Sequence, residues 1–185
     1  MTAPNVGNPT HPAVMNQMRL PRSAALGPGR GGQQRLLIDA PAGAAEIYLH
    51  GATVTSWVPR GASEVIFTSR QAVFDGATAI RGGIPLCLPE FGVGINGDAV
   101  PKHGWARIAP WRLLTVTATD GGGVRALLSV SRDRLTALYE VEVGETLRLG
   151  LSLRNEGTEP RTVEAAAHTY LSVHDVTASR ISGLA

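Results

Sequence analysis

The sequence predicts an all-β domain, an antiparallel sandwich or barrel, and three observations carry that prediction. Leu147, Leu149, Leu151 and Leu153 alternate with Arg148, Gly150, Ser152 and Arg154. Period two over that length puts leucines on one face of a strand and mostly polar groups on the other. Other short apolar runs recur between Gly, Pro, Asn and Asp clusters, the pattern of repeated strands and turns. The composition agrees: 22 glycines and 12 prolines, against 17% charged and 5% aromatic residues, suit short strands better than long charged helices.

Along the chain, residues 1–34 read as a disordered tail. They contain Pro4, Pro9, Pro12, Pro21 and Pro28, and the run from Gly27 to Gly32 offers no apolar surface to bury. Strands are expected from Arg35 onward: Leu36–Ile38, Glu46–Leu49 and Val54–Val58, the last stopped by Pro59 and Gly61. Val124–Ser131 and Leu138–Val143 follow, divided by the charged Arg132-Asp133-Arg134. After the leucine strand, Asn155 to Pro160 makes a turn before a β-rich run from Thr162 to Val173. Residues 35–185 therefore form one domain, and the chain stops at Ala185 in mid-pattern, so the sandwich is expected to be incomplete at its C-terminus.

Several classes of function are disfavoured. No run of 18 apolar residues is present, so no transmembrane helix is predicted and no membrane partner is expected. The single cysteine, Cys87, excludes an internal disulfide framework and any multi-cysteine zinc site. A reducing, cytoplasmic location is the natural expectation. Met1 to Arg35 holds Arg19, Arg22, Arg30 and Arg35 and no acid, so it carries more than the whole net charge of +2. No basic stripe interleaved with aromatics remains, and nucleic acid is not an expected partner.

Two segments can carry chemistry. Ile80-Arg81-Gly82-Gly83-Ile84-Pro85 is followed closely by Pro101-Lys102-His103-Gly104-Trp105-Ala106-Arg107. Paired glycines let a backbone approach a ligand, and Arg81, Lys102, His103 and Arg107 make a candidate anion and sugar site. Trp105 is placed to lie under the apolar face of a sugar. The bland alternative is a long connection with solvated arginines and a core tryptophan. The second segment is Ala165 to Leu171, where His168 shares a strand face with Glu164, Ala166 and Tyr170. An imidazole titrates near neutrality and suits proton transfer, although a lone strand histidine is more often structural. His174-Asp175 is a common dyad of little weight. His103, His168 and His174 lack local ligand spacing, so no metal site is expected.

Taken in order, these segments resemble the hexose-6-phosphate mutarotases (glucose-6-phosphate 1-epimerases) of the aldose 1-epimerase superfamily. The resemblance runs from Leu36 to Ala185. It includes His50-Gly51-Ala52-Thr53-Val54, Trp57, Phe74-Asp75-Gly76, Arg81-Gly82-Gly83-Ile84-Pro85, Pro89-Glu90-Phe91-Gly92, His103-Gly104-Trp105-Ala106-Arg107 and His168-Thr169-Tyr170. It implies a large galactose-mutarotase-like β-sandwich that interconverts α and β anomers of a hexose 6-phosphate without a cofactor; a monomer is the expected state. By the same resemblance His168 is the general acid at the ring oxygen, and Arg81 and Arg107 bind substrate. Lys102 stands where glutamine is common, and Glu90 where a neutral residue is usual. The family's catalytic glutamate lies beyond Ala185, so the isolated chain is expected to be poorly active. Two alternatives are a non-catalytic carbohydrate- or phosphosugar-binding sandwich and a purely structural one.

Overall fold

A computed structural model describes residues 19–183, and it contains strands and two short 3-10 turns but no α-helix among them. The first sheet is four antiparallel strands in chain order, β1 (Ala24–Pro28), β2 (Gln34–Ala40), β3 (Gly43–Tyr48) and β4 (Thr53–Pro59). The second is built the same way from β6 (Arg112–Ala118), β7 (Val124–Arg132), β8 (Leu135–Val143) and β9 (Leu147–Asn155). Between them in sequence lies β5 (Leu86–Cys87), which pairs with β10 (Ala166–Ala167) as a small separate sheet. Alternate residues of both large sheets share one buried cluster, with Leu36, Ile38, Ile47 and Val54 from one and Leu128, Leu135, Tyr139 and Val141 from the other. Two sheets closing on one apolar layer make a sandwich.

Local chemistry explains the joints. Asp133 and Arg134 have φ of 50° and 59° and turn β7 directly into β8, with Arg132 opposite Leu135. Two successive left-handed residues form the turn whose twist matches a hairpin. The divider expected at Arg132-Asp133-Arg134 is thus a two-residue hairpin loop. On β9 the leucine face is as predicted but shallower. Leu147, Leu149 and Leu151 are half-buried and Leu153 is 36% exposed, because β9 is the outer strand of its sheet.

The boundary expected at residue 34 is corrected. Ala24–Pro28 form β1, paired with β2 from Ala24 opposite Ile38 to Pro28 opposite Gln34. The part of the expected tail that precedes residue 19 lies outside the described residues. Arg30–Gly32 bury nothing, as their composition implies. β1 forms all the same because an edge strand needs only backbone partners on one side, which β2 supplies. The long strand expected over Thr162–Val173 is also reduced to β10 and a single bridge from Leu171 to Ile66.

Tyr139 sits at the centre of the core at 1% exposure, and its hydroxyl has no hydrogen-bond partner. Burial raises its pKa, so the group stays protonated. A buried hydroxyl left unpaired costs about 1–3 kcal/mol, partly offset by the volume it fills. Tyr139→Phe is therefore expected to stabilise the fold by roughly 1 kcal/mol. Urea titration checks this, and a clear loss of stability in the phenylalanine variant would show that the hydroxyl is satisfied.

Candidate functional site

The site is built where two extended segments meet alongside the sandwich. Residues 82–85 bridge to β4 and to Thr68 through Val54–Ile84 and Thr68–Gly82 pairs, and lead into β5. On their other side runs 166–170. The His168 N–H donates to Pro85 O at 3.0 Å and the Tyr170 N–H to Gly83 O at 2.9 Å. Gly82 has φ +106°, and a Cβ there would lie 2.6 Å from Phe67 O. The close approach that the paired glycines permit is therefore between neighbouring strands, not between backbone and ligand. The third contributor is the 101–108 loop, fixed by Leu88 N–H to His103 O at 3.2 Å and Ala106 N–H to Leu88 O at 3.0 Å.

These segments enclose a cavity of about 610 Å³ lined by Arg81, Cys87, His103, Arg107, His168 and Tyr170. That volume falls within the roughly 300–1,000 Å³ usual for small-molecule sites. Four of the five residues selected from sequence thus face one space. Lys102 does not line it. The lysine side chain is exposed, and its carbonyl accepts a hydrogen bond from Arg107 Nη2 at 2.9 Å. Trp105 is not a platform either: it is 5% exposed and belongs to the main core cluster.

The lining is cationic. Arg81 is exposed and its guanidinium makes no hydrogen bond or ion pair among the described residues. Arg107 has a buried Nε with no partner, an unspent donor on a cavity-lining cation. His103 Nδ1 accepts the Gly92 N–H at 3.2 Å and lies 3.5 Å from Cys87 Sγ. That network puts the neutral ring's proton on Nε2. Burial, and then the charges of Arg107, His168 and Lys102, hold His103 below the ordinary imidazole value. The same burial raises the Cys87 thiol, against a smaller pull from Arg107, so Cys87 is no ready nucleophile.

His168 is half-buried and open to the cavity, not sealed beneath the core. Its ring stacks on Tyr170, with centroids 5.0 Å apart, and stands perpendicular to His103 at 5.8 Å. Tyr170 is a cavity residue that sequence reasoning left without a role, although its shared parity with His168 was a usable signal. Gln71, Val73 and Thr78 also line the space, and no local pattern marks them.

No Asp or Glu lines this cavity among the described residues. Glu90 and Glu164 line a different space of about 330 Å³, together with Asp98 and Arg161. Glu164 is therefore not on the face of His168, because the regular strand is confined to residues 166–167. Asp175 is exposed and accepts from the N–H and hydroxyl of its neighbour Thr177, and His174 is exposed beside it. No cluster of three or more metal-ligating side chains occurs among the described residues.

The wall at residues 77–80 is held from outside the cavity. Asp75 accepts the Thr78 N–H at 2.6 Å, the Ala77 N–H at 2.8 Å and the Thr78 hydroxyl at 2.8 Å, while His50 Nε2 donates to Thr78 O at 2.9 Å. The Thr78 and Ala77 amides pull the Asp75 carboxyl down to about 2 from its ordinary 3.8. A depressed carboxyl steadies this turn fully above its unfolded value and releases it as pH falls through the folded value. An NMR titration of the Asp75 carboxyl carbon is thus expected to show a midpoint near 2 that the Ala77 and Thr78 amide shifts follow. A midpoint at the ordinary value would show the turn to be unanchored.

The fold superposes with a TM-score of 0.75 on the crystal structure of "a putative mutarotase (YeaD) from Salmonella typhimurium", at 28% identity over 85% of this chain and 54% of that one. A mutarotase-like β-sandwich is thus the class of architecture. The sequence pattern of the family described as aldose 1-epimerase matches residues 34–185, and the chain belongs to that family. It is 32% identical over 158 residues to the Escherichia coli (strain K12) protein named "Putative glucose-6-phosphate 1-epimerase", covering 80% of this chain and 52% of the relative. A Cenchrus ciliaris protein of the same name is 35% identical over 157 residues, covering 76% of this chain and 47% of the relative. The chain therefore spans about half the length of the curated relatives it matches.

Proposed function

We propose that the chain forms the substrate-holding part of a mutarotase that interconverts the α and β anomers of a hexose 6-phosphate. The observation that carries this reading is the single cavity on which Arg81, His103, Arg107 and His168 converge with no carboxylate in its lining. Unspent guanidinium donors suit a phosphate, for which arginine offers a planar fork. His168 delivers a proton to the ring oxygen as the ring opens to the aldehyde. A base must take the proton from the anomeric hydroxyl at the same time, and acid and base must flank the sugar. That base is expected from the half of the relatives' length that this chain does not span.

The experiment is a calorimetric titration of the 185-residue chain with glucose 6-phosphate, glucose and inorganic phosphate, paired with polarimetric mutarotation. Binding that requires the phosphate, with little turnover, is the expected result. Equal binding of glucose and its 6-phosphate would remove the phosphosugar assignment. Full turnover by this chain would remove the assignment of the base. The lack of a carboxylate at the cavity also favours a second reading, a phosphosugar-binding sandwich that catalyses nothing. A protein carrying this chain together with a segment matching the rest of its relatives' length, binding the sugar phosphate yet leaving its anomers uncatalysed, would establish it.

A further inference from the structure

Arg30 stands outside the cavity and holds one of its walls. Its guanidinium donates to Arg70 O at 3.0 Å, Ala72 O at 3.2 Å and Ser69 O at 3.4 Å. The same group lies 4.3 Å from the centroid of the Phe74 ring. Behind it, the Arg30 N–H donates to the Tyr48 hydroxyl at 2.9 Å, and Tyr48 packs on Phe74 at 4.8 Å between ring centroids. Tyr48, Ala72, Phe74 and Ile80 form their own small buried cluster, apart from the main core.

Gln71 and Val73 lie between these anchors in sequence, and both line the cavity. The chain next to Arg30 is shaped for the same contact. Gly31 has φ +62°, and a Cβ there would meet Phe74 O at 1.9 Å, so only glycine allows the two backbones to touch. Inside the 69–74 segment the backbone bonds are few, chiefly the Ala72 N–H to Ser69 O at 3.1 Å and the Ser69 N–H to Arg81 O at 3.1 Å. Three carbonyls converging on one fork are what a guanidinium satisfies and a point-like ammonium satisfies less well.

From this we infer that Arg30 is a positioning residue for sugar binding, fixing residues 69–74 so that Gln71 and Val73 shape one wall of the cavity. The inference rests on the phosphosugar reading above. Gln71 and Val73 carry no charge, and the Arg81 segment keeps its own anchors in the Thr68–Gly82 bridge and the Gly83 N–H to Phe67 O bond. The effect is therefore expected at the sugar more than at the phosphate.

The test uses the 185-residue chain and its Arg30→Ala and Arg30→Lys variants, titrated with glucose 6-phosphate and with inorganic phosphate, and followed by amide hydrogen exchange. A partly displaced wall is expected to weaken glucose 6-phosphate about tenfold, equivalent to about 1.4 kcal/mol of lost contact. Inorganic phosphate should bind as before, and lysine should restore part of the loss. Exchange should accelerate at Ser69 and Ala72 and stay unchanged in β7 and β8. Unchanged glucose 6-phosphate affinity overturns the inference, and so does equal weakening of both ligands with faster exchange throughout. If Arg30→Ala does not fold, Arg30→Lys alone decides by the same split. A wild-type chain that binds neither ligand overturns the phosphosugar reading and the sugar-positioning role together. Local exchange would then report only whether Arg30 holds the wall.

Discussion

Replacing His168 by alanine in a protein that carries this chain and turns over glucose 6-phosphate is expected to lower kcat by about 10²–10⁴-fold, the range a positioned proton donor supplies, while KM for that sugar changes little. The expectation follows from where the ring sits. His168 is anchored through its backbone to Pro85, stacks on Tyr170 and opens to the cavity without a hydrogen bond that would commit it elsewhere among the described residues. Removing the imidazole leaves the cationic groups in place, so binding should survive the loss of proton delivery. Initial-rate polarimetry on both anomers separates the two quantities. A variant whose KM rises while kcat holds would make His168 a binding group and leave the acid unassigned.

Arg81→Ala is expected to do the reverse. A hydrogen bond to a charged group is worth about 1.5–3 kcal/mol, which corresponds to a roughly 10- to 100-fold rise in KM for the phosphorylated sugar. Free glucose should be affected far less. Arg81 suits this role because its guanidinium is exposed on the cavity and makes no bond within the described residues, so little of the protein depends on it. The neighbouring Arg107 is less clean as a probe, since its Nη2 also bonds Lys102 O and its Nε is buried. Equal losses for glucose and glucose 6-phosphate in the Arg81 variant would place the phosphate elsewhere.

How much of this was legible in the sequence depended on whether the determining contacts were local. β7, β8 and β9 were readable because alternation continues unbroken along regular ladders. β6 was missed because a register shift between Leu113 and Thr115 breaks its period of two. β1 was missed because it buries no residue and consists of Ala, Leu, Gly and Pro, a composition that also describes a linker. The site was legible where motifs carry it, at Arg81, His103, Arg107 and His168. Lys102 and Trp105 were assigned from adjacency in sequence, and the loop points them away from the cavity. The walls at Gln71, Val73 and Thr78 had no signal, since Arg30, Asp75 and His50 hold them across turns or across the fold.

The pairing of residues 82–85 with residues 166–170 also bears on how the protein comes to be functional. His168 and Arg81 are contributed by chain segments far apart in sequence, joined through hydrogen bonds such as the His168 N–H to Pro85 O. The entropy of such closure must be met before its contacts reward it, so pairing of this kind is slow to form. During synthesis the first sheet can form while the site does not yet exist. Under mild denaturant the same seam is expected to part before the hairpins on either side, so ligand binding would fade ahead of any spectroscopic sign of unfolding.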